Sequence, residues 1–311
     1  MKWFALSFCA AAAIGAAVLW GQQQAPAASA QDAQSRITLD VTRVNILFTV
    51  TDKKGRFVTN LSKDDFDVFE SKKKQNILEF TAESDLPLRL ALLIDTSNSI
   101  RDRFRFEQEA AIEFLNTLLR PRQDKAMIVS FDTAAEMASD LTDDHEKLVK
   151  TIRNLRPGGG TALYDAIFNA CKERLMMDQP RHKFRRAIVV LSDGDDNQSR
   201  YTREQALEMA QKADVVIYTV STNITRVPSD GDKVLRYLAN ETGGISLFPF
   251  KVEDLSQSFE NISNELRSQY NLLYRPDPIH TDGLYHTIDI KVKQKKDMVV
   301  RARKGYYAPR L

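Results

Sequence analysis

One carboxylate and two hydroxyls, from Asp95, Ser97 and Ser99, follow directly on the apolar run Leu90-Ala91-Leu92-Leu93-Ile94. The Asp-x-Ser-x-Ser spacing holds them within a single turn of chain. All three are hard oxygen donors, suited to Mg²⁺, Mn²⁺ or Ca²⁺ and poorly matched to zinc or copper. Two further oxygen donors stand in similar places. Thr161 follows Gly158-Gly159-Gly160 and precedes a helical pattern starting at Ala162; Asp193 lies between the run Ala187–Ser192 and Gly194. Each cluster alone also suits a plainer role, as a helix cap or an ordinary turn. Together they sit at three strand exits of one predicted sheet, where open α/β sheets bind ligands.

Other reactive constellations are weak. The four histidines, His145, His182, His280 and His286, are scattered and none lies within a motif. No Ser/His/Asp or Cys/His arrangement emerges, and Gly158-Gly159-Gly160-Thr161 lacks the lysine of a phosphate-binding loop. Asp195, Asp196 and Asn197 do not make an EF-hand, because Gln198 stands where that loop requires glycine; they read as solvated rim residues. Cys171 shares an apolar helical pattern with Ala166, Ile167 and Leu175 and reads as a buried small hydrophobe.

The elements that must position the oxygen donors are alternating strands and helices. Apolar runs at 90–94, 125–131, 187–191 and 214–220 alternate with helical patterns near 102–119, 143–154, 162–176, 202–212, 232–241 and 254–268. Such alternation predicts a mostly parallel, doubly wound α/β sheet covered by helices on both faces. Residues 134–141 read as a short antiparallel edge strand.

Both flanks read as β structure. Val44, Ile46, Phe48 and Val50 alternate, Asp52-Lys53-Lys54-Gly55 supplies a hairpin turn, and Phe66 and Val68 alternate again. Near the other end Tyr270 to Tyr274, His286 to Val292 and Met298 to Arg303 are strand candidates. Neither flank has enough strands to bury a core alone. The expected organisation is a small β-sandwich built from residues 44–86 and 269–311, with the α/β segment 87–268 inserted between its halves. The junctions, near Leu86-Pro87 and Ser268-Gln269, are short and not flexible in composition.

Residues 1–30 have the pattern of a signal peptide: Lys2, an apolar stretch from Phe4 to Trp20, and Ala28-Ser29-Ala30 as a small-x-small cleavage site. Residues 31–43 are a linker. Cleavage after Ala30 implies a secreted or periplasmic protein with no membrane span, the alternative being an uncleaved N-terminal anchor. It also removes Cys9 and leaves Cys171 alone, so no internal disulfide forms. The formal net charge of +2 argues against nucleic acid as the main partner. The basic clusters Lys72-Lys73-Lys74 and Lys291/Lys293/Lys295/Lys296 lie beside predicted strands and read as solvated edge guards.

In combination, the three clusters resemble the metal-ion-dependent adhesion site of von Willebrand factor A domains. The resemblance implies that Asp95, Ser97, Ser99, Thr161 and Asp193 ligate one divalent cation, Mg²⁺ or else Mn²⁺ or Ca²⁺. Val50-Thr51-Asp52-Lys53-Lys54-Gly55, Asp64 to Glu70 and Arg303-Lys304-Gly305-Tyr306-Tyr307 are similar to a bacterial, acidobacterial-type group of secreted A-domain proteins. Two carboxylates and three neutral hydroxyls under-neutralise a divalent ion, leaving room for an acidic side chain from a protein partner. The implied function is an extracytoplasmic, cation-dependent binding module and not an enzyme. The alternatives are an envelope-assembly component whose ion only stabilises the fold and, with less support, a metal-assisted hydrolase. Leu255, Phe259, Ile262 and Leu266 of the pattern 254–268 read as a plain core stripe. In related adhesion domains the last helix shifts on ligand binding, which here offers the alternative that binding at Asp95 is transmitted through this helix to the strand at Tyr270.

Overall fold

The computed structural model describes residues 43–82, 86–101, 103–179, 183–223, 225, 227–249, 251, 254–293 and 297–310. The signal peptide 1–30, most of the linker, His182, Lys295 and Lys296 lie outside the described residues. In chain order the strands are β1 (Val44–Thr51), β2 (Phe66–Glu70), β3 (Lys73–Gln75), β4 (Ile77–Thr81), β5 (Leu88–Asp95), β6 (Lys125–Phe131), β7 (Ala135–Thr142), β8 (Arg185–Ser192), β9 (Val215–Ser221) and β10 (Ser246–Leu247). They are followed by β11 (Tyr270–Tyr274), β12 (Tyr285–Val292), β13 (Val299–Ala302) and β14 (Gly305–Tyr307). The α-helices are α1 (Phe104–Leu118), α2 (His145–Asn154), α3 (Leu163–Ala170), α4 (Arg203–Lys212), α5 (Asp230–Thr242) and α6 (Leu255–Arg267).

The central sheet has the order β10-β9-β8-β5-β6-β7, parallel except for β7. Its middle strand β5 is buried at every position, as a strand covered on both faces must be. The period-two alternation of side chains sorts that burial into two cores. Leu90, Leu92 and Ile94 pack with residues of α1, α2 and α6. Ala91 and Leu93 pack with residues of α3, α4 and α5 on the other face.

The antiparallel edge strand forms where 134–141 predicted one. The two-residue strand β10 is too short to leave a periodic signal. The helix expected over 162–176 changes form partway, continuing from Ala170 into a single π-helical turn over Cys171–Leu175. Cys171 is buried there, and burial pushes its thiol well above the ordinary range. Helices α2, α4 and α5 start on side-chain caps: Asp144 accepts the Lys147 N–H, while Thr202/Gln205 and Ser229/Asp232 form capping boxes.

The remaining strands form two four-stranded sheets, β13-β1-β11-β4 and β14-β12-β2-β3. Each sheet mixes strands from both ends of the chain, and one apolar core around Phe48, Phe66, Val68 and Tyr270 joins them. The contacts to the α/β part fall at the N-terminal ends of its parallel strands. Arg185, at the start of β8, donates to Leu86 O (2.9 Å) and Leu266 O (2.5 Å), the two points where the chain crosses over. Buried Glu265, near the end of α6, accepts from Thr49 Oγ1 (2.7 Å) and from Arg301 Nη1 (2.7 and 2.8 Å). Arg303 pairs with Asp214 at 2.6 Å, immediately before β9. Among the described residues, no helix is long and apolar enough to cross a membrane.

Candidate functional site

The opposite, C-terminal ends of the parallel strands carry the oxygen donors. Asp95 ends β5 fully buried. Its Oδ1 accepts the Ser97 N–H (2.8 Å) and its Oδ2 accepts the Ser192 hydroxyl (2.6 Å). Ser97 and Ser99 lie Oγ to Oγ at 2.9 Å, and Ser99 Oγ donates to Asp193 Oδ2 at 2.9 Å. The first and third clusters are thus one hydrogen-bonded group. Ser97 is buried, Asp193 half-buried and Ser99 exposed, so the group has a buried floor and an open rim.

Thr161 reaches this group through backbone stitching. The Gly158 N–H donates to Thr96 O (2.6 Å) and the Asn98 N–H to Gly159 O (3.3 Å), binding the glycine loop to the Asp95 loop. Gly159 has φ +76°, and a Cβ there would stand 2.5 Å from Thr133 Oγ1. Only glycine takes that position without strain. The Thr161 N–H donates to Asn197 Oδ1 (3.0 Å), and its carbonyl accepts the Asn197 and Gln198 N–H groups at 3.0 Å each.

Two of the three supposed rim residues are therefore structural staples. Asn197 holds the Thr161 backbone, and Asp196 accepts the Tyr164 N–H (3.1 Å) and the Ser199 hydroxyl (2.6 Å), capping α3. The backbone groups they hold, at Thr161 and Tyr164, are more than 30 positions away, so no local pattern marks that role. Ser192 was visible only as the last residue of a strand. Its hydroxyl holds Asp95 and accepts the Gly194 N–H at 3.1 Å.

The site is electrostatically negative. Burial pushes Asp95 up to about 6 against hydrogen bonds from Ser192 and Ser97, and the Asp193 charge adds to the rise. Asp195 is raised by burial and by Asp193, Asp230 and Asp232. Glu107, buried in the first turn of α1, is pushed up to about 8, mainly by burial. Its Oε2 has no hydrogen-bond partner, and Asp95 and Asp193 raise it further. Clustered carboxylates with hydroxyl partners and no nitrogen or sulfur donor fit a hard divalent cation.

The scattered histidines need correction. His280 and His286 stack at 3.9 Å between ring centroids, and both approach Glu70. The connection from β11 to β12 folds back on β12, which brings residues six positions apart into one cluster. The warning in the sequence was the strand alternation itself, since Glu70 shares a face with Phe66 and Val68.

Residues 90–195 match the von Willebrand factor type A domain family. A von Willebrand factor type A structure from Catenulispora acidiphila aligns with a TM-score of 0.51 at 12% identity, over 85% of this chain and 73% of that one. The PilB minor pilin from Streptococcus sanguinis aligns at 0.48 and 14% identity, over 60% of this chain and 63% of the pilin. Proximal thread matrix protein 1 from the mussel byssus, with a zinc-occupied MIDAS motif, aligns at 0.49 and 17% identity, over 63% of this chain and 49% of that one. The chain thus spans less than two thirds of the pilin and about half of the byssus protein. No curated protein matches it. The α/β part thus has the von Willebrand factor type A fold, with the family match over residues 90–195, and is accompanied by antiparallel sheets built from both ends of the chain.

Proposed function

We propose that this protein is an extracytoplasmic, divalent-cation-dependent protein-binding module. Asp95, Ser97, Ser99, Thr161 and Asp193 would hold the ion, with Mg²⁺ favoured by the all-oxygen donor set and Mn²⁺ or Ca²⁺ as substitutes. The observation that carries this reading is the chain of short contacts from Ser97 through Ser99 to Asp193, with Asp95 anchored on the adjacent Ser192. It gathers oxygen donors at one open rim on the face where α/β sheets bind ligands. The bound ion would supply a positive centre for a partner's carboxylate. The chain's own residues do the rest: Ser192 and the Ser97 backbone orient Asp95, and Asn197 and Asp196 set the Thr161 loop. The targeting pattern of residues 1–30 supports a location outside the cytoplasm.

Two measurements test the reading. Calorimetry should show one Mg²⁺ bound by the wild-type chain and none by Asp95→Ala. A pull-down from envelope extract should then recover a partner with wild type in Mg²⁺, but not in EDTA and not with Asp95→Ala. Mg²⁺ uptake with no cation-dependent partner would favour an assembly component with a stabilising ion. Undiminished Mg²⁺ uptake by Asp95→Ala would refute the site.

A further inference from the structure

The sandwich carries a second cluster whose chemistry differs from that of the Asp95 rim. Glu70 ends β2 in register with the inward-facing Phe66 and Val68, and only 2% of it is exposed. A carboxylate at a core position is costly unless it is paired or bound to a metal. Its hydroxyl partners are both phenols: Tyr274 donates to Oε2 at 2.6 Å and Tyr306 to Oε1 at 3.2 Å. Burial and the Glu70 charge push both phenols up, which keeps them protonated donors. Among the described residues, the groups within ion-pair range of Glu70 are His280 (Nε2 to Oε1, 3.2 Å) and His286 (Nδ1 to Oε1, 3.9 Å). Two imidazoles stacked at 3.9 Å repel one another if both are charged, so they are a poor pair of counter-ions.

We propose that Glu70, His280 and His286 form a second cation site, taking Zn²⁺ through Glu70 Oε1, His280 Nε2 and His286 Nδ1. One ligand atom from each residue lies within 4.8 Å of the others. Tetrahedral zinc with nitrogen and oxygen ligands wants its donors roughly 3.3 Å apart. The 3.2 and 3.9 Å separations from Glu70 Oε1 are near that, and the two stacked rings would turn out of their parallel arrangement to aim both nitrogens at one ion. Two imidazoles and one carboxylate suit a borderline transition ion, in contrast to the all-oxygen rim at Asp95. The second observation is the far side of His286. Its Nε2 lies 3.1 and 3.2 Å from the two oxygens of Asp282, the outer carboxylate that fixes the tautomer and orientation of a metal-binding histidine. The side chain of His280 is a quarter exposed, which leaves an approach for the ion and for solvent in the fourth position.

Such an ion would join three separate pieces of the sandwich: the end of β2, the β11–β12 connection and β12. It would clamp an N-terminal strand to a C-terminal one in a domain with no disulfide. The proposal does not depend on the Asp95 reading, and the test separates them by working in the Asp95→Ala background.

The full chain, as wild type and as Asp95→Ala, is stripped with chelator, equilibrated with ZnCl₂, desalted and assayed for bound zinc by mass spectrometry. One zinc per chain is expected to remain in Asp95→Ala. Affinity should fall at least a hundredfold in His280→Gln and in His286→Gln when each is added to it, and about ten- to a hundredfold in Asp282→Asn. Zinc should raise the melting temperature of Asp95→Ala by several degrees and leave the two Gln variants unmoved. Should the Gln variants fail to fold by circular dichroism, Co²⁺ bound to Asp95→Ala decides, through the visible d–d absorption of an imidazole-ligated ion. Absence of zinc in Asp95→Ala, retention of zinc in folded Gln variants, or a Co²⁺ spectrum without imidazole ligation would overturn the proposal and leave a plain histidine–carboxylate cluster.

Discussion

Ser99 Oγ lies 2.9 Å from Asp193 Oδ2, although 94 positions separate the two residues. The contact joins the exit of β5 to the exit of β8, neighbouring strands in parallel register from Leu88↔Arg185 to Ile94↔Leu191. The sheet thereby brings the first and third oxygen clusters together, and hydrogen bonding completes the approach.

Asp95 is the donor most easily tested for its role. Asp95→Asn keeps the shape of the side chain and removes its charge. Mg²⁺ affinity should fall at least a hundredfold by calorimetry. The melting temperature in EDTA should hold or rise, because the variant no longer buries a carboxylate that is raised by burial. A large loss of stability in EDTA would show that Asp95 is chiefly structural.

The elevated Asp95 carboxyl also fixes a pH dependence. A carboxyl at about 6 in the folded state, against an ordinary 3.8, binds its proton more tightly folded than unfolded. In EDTA its stabilising contribution is full below about pH 4 and is lost as pH rises to 6, by on the order of 3 kcal/mol. Mg²⁺ competes with the same proton, so affinity should weaken by up to tenfold per unit below pH 6. A Mg²⁺ titration series from pH 5 to 8 checks both the direction and the midpoint.

Glu107 should show the same sign over a wider window. Its carboxyl, ordinarily at 4.5, stands at about 8, so ion-free stability from this group declines between pH 4.5 and 8. Glu107→Gln keeps the volume and removes the charge. Its stability relative to wild type in EDTA should grow across that window by up to a few kcal/mol and then level off. Denaturant unfolding at pH 5, 7 and 9 reads the trend, and a flat difference would contradict it.

At the other end of the sheet, Glu265 is 1% exposed, and the Arg301 side chain that pairs with it is a third exposed. Arg301→Ala leaves a buried carboxylate with Thr49 as its hydroxyl partner and should cost about 2 kcal/mol, discounted for the exposed arginine. Glu265→Gln should cost less, since it buries no charge. Chemical denaturation of both variants compares them directly.

Helix α6 links this pair to the Asp95 face, with Phe259 stacked on Phe114 at 4.7 Å and Leu255, Ile262 and Leu266 buried beside it. If cation and partner binding move the helix, hydrogen exchange over 254–274 should change by at least severalfold on adding saturating Mg²⁺ and partner. Unchanged exchange would leave the helix as core packing alone.

Much of the fold was legible in the linear chain because its signals are local. The buried run before Asp95, the alternation of apolar runs with helical patterns, and the Asp-x-Ser-x-Ser, Gly-Gly-Gly-Thr and Asp-Gly clusters are periodicities and short spacings, visible without tertiary contacts. What escaped was set by contacts between distant residues. Ser192 as the anchor of Asp95, Asn197 as the staple of Thr161, and Arg185 at both crossovers each depend on a partner that no local pattern identifies. The Glu70–His280–His286 cluster is the clearest case. Continuing the alternation of Phe66 and Val68 would have put Glu70 on the same face, but only the pairing of β2 with β12 and the return of the β11–β12 connection decided what it meets there. Local side-chain chemistry marked the candidate oxygen donors; the sheet registers, which depend on the whole chain packing at once, decided which of them come together.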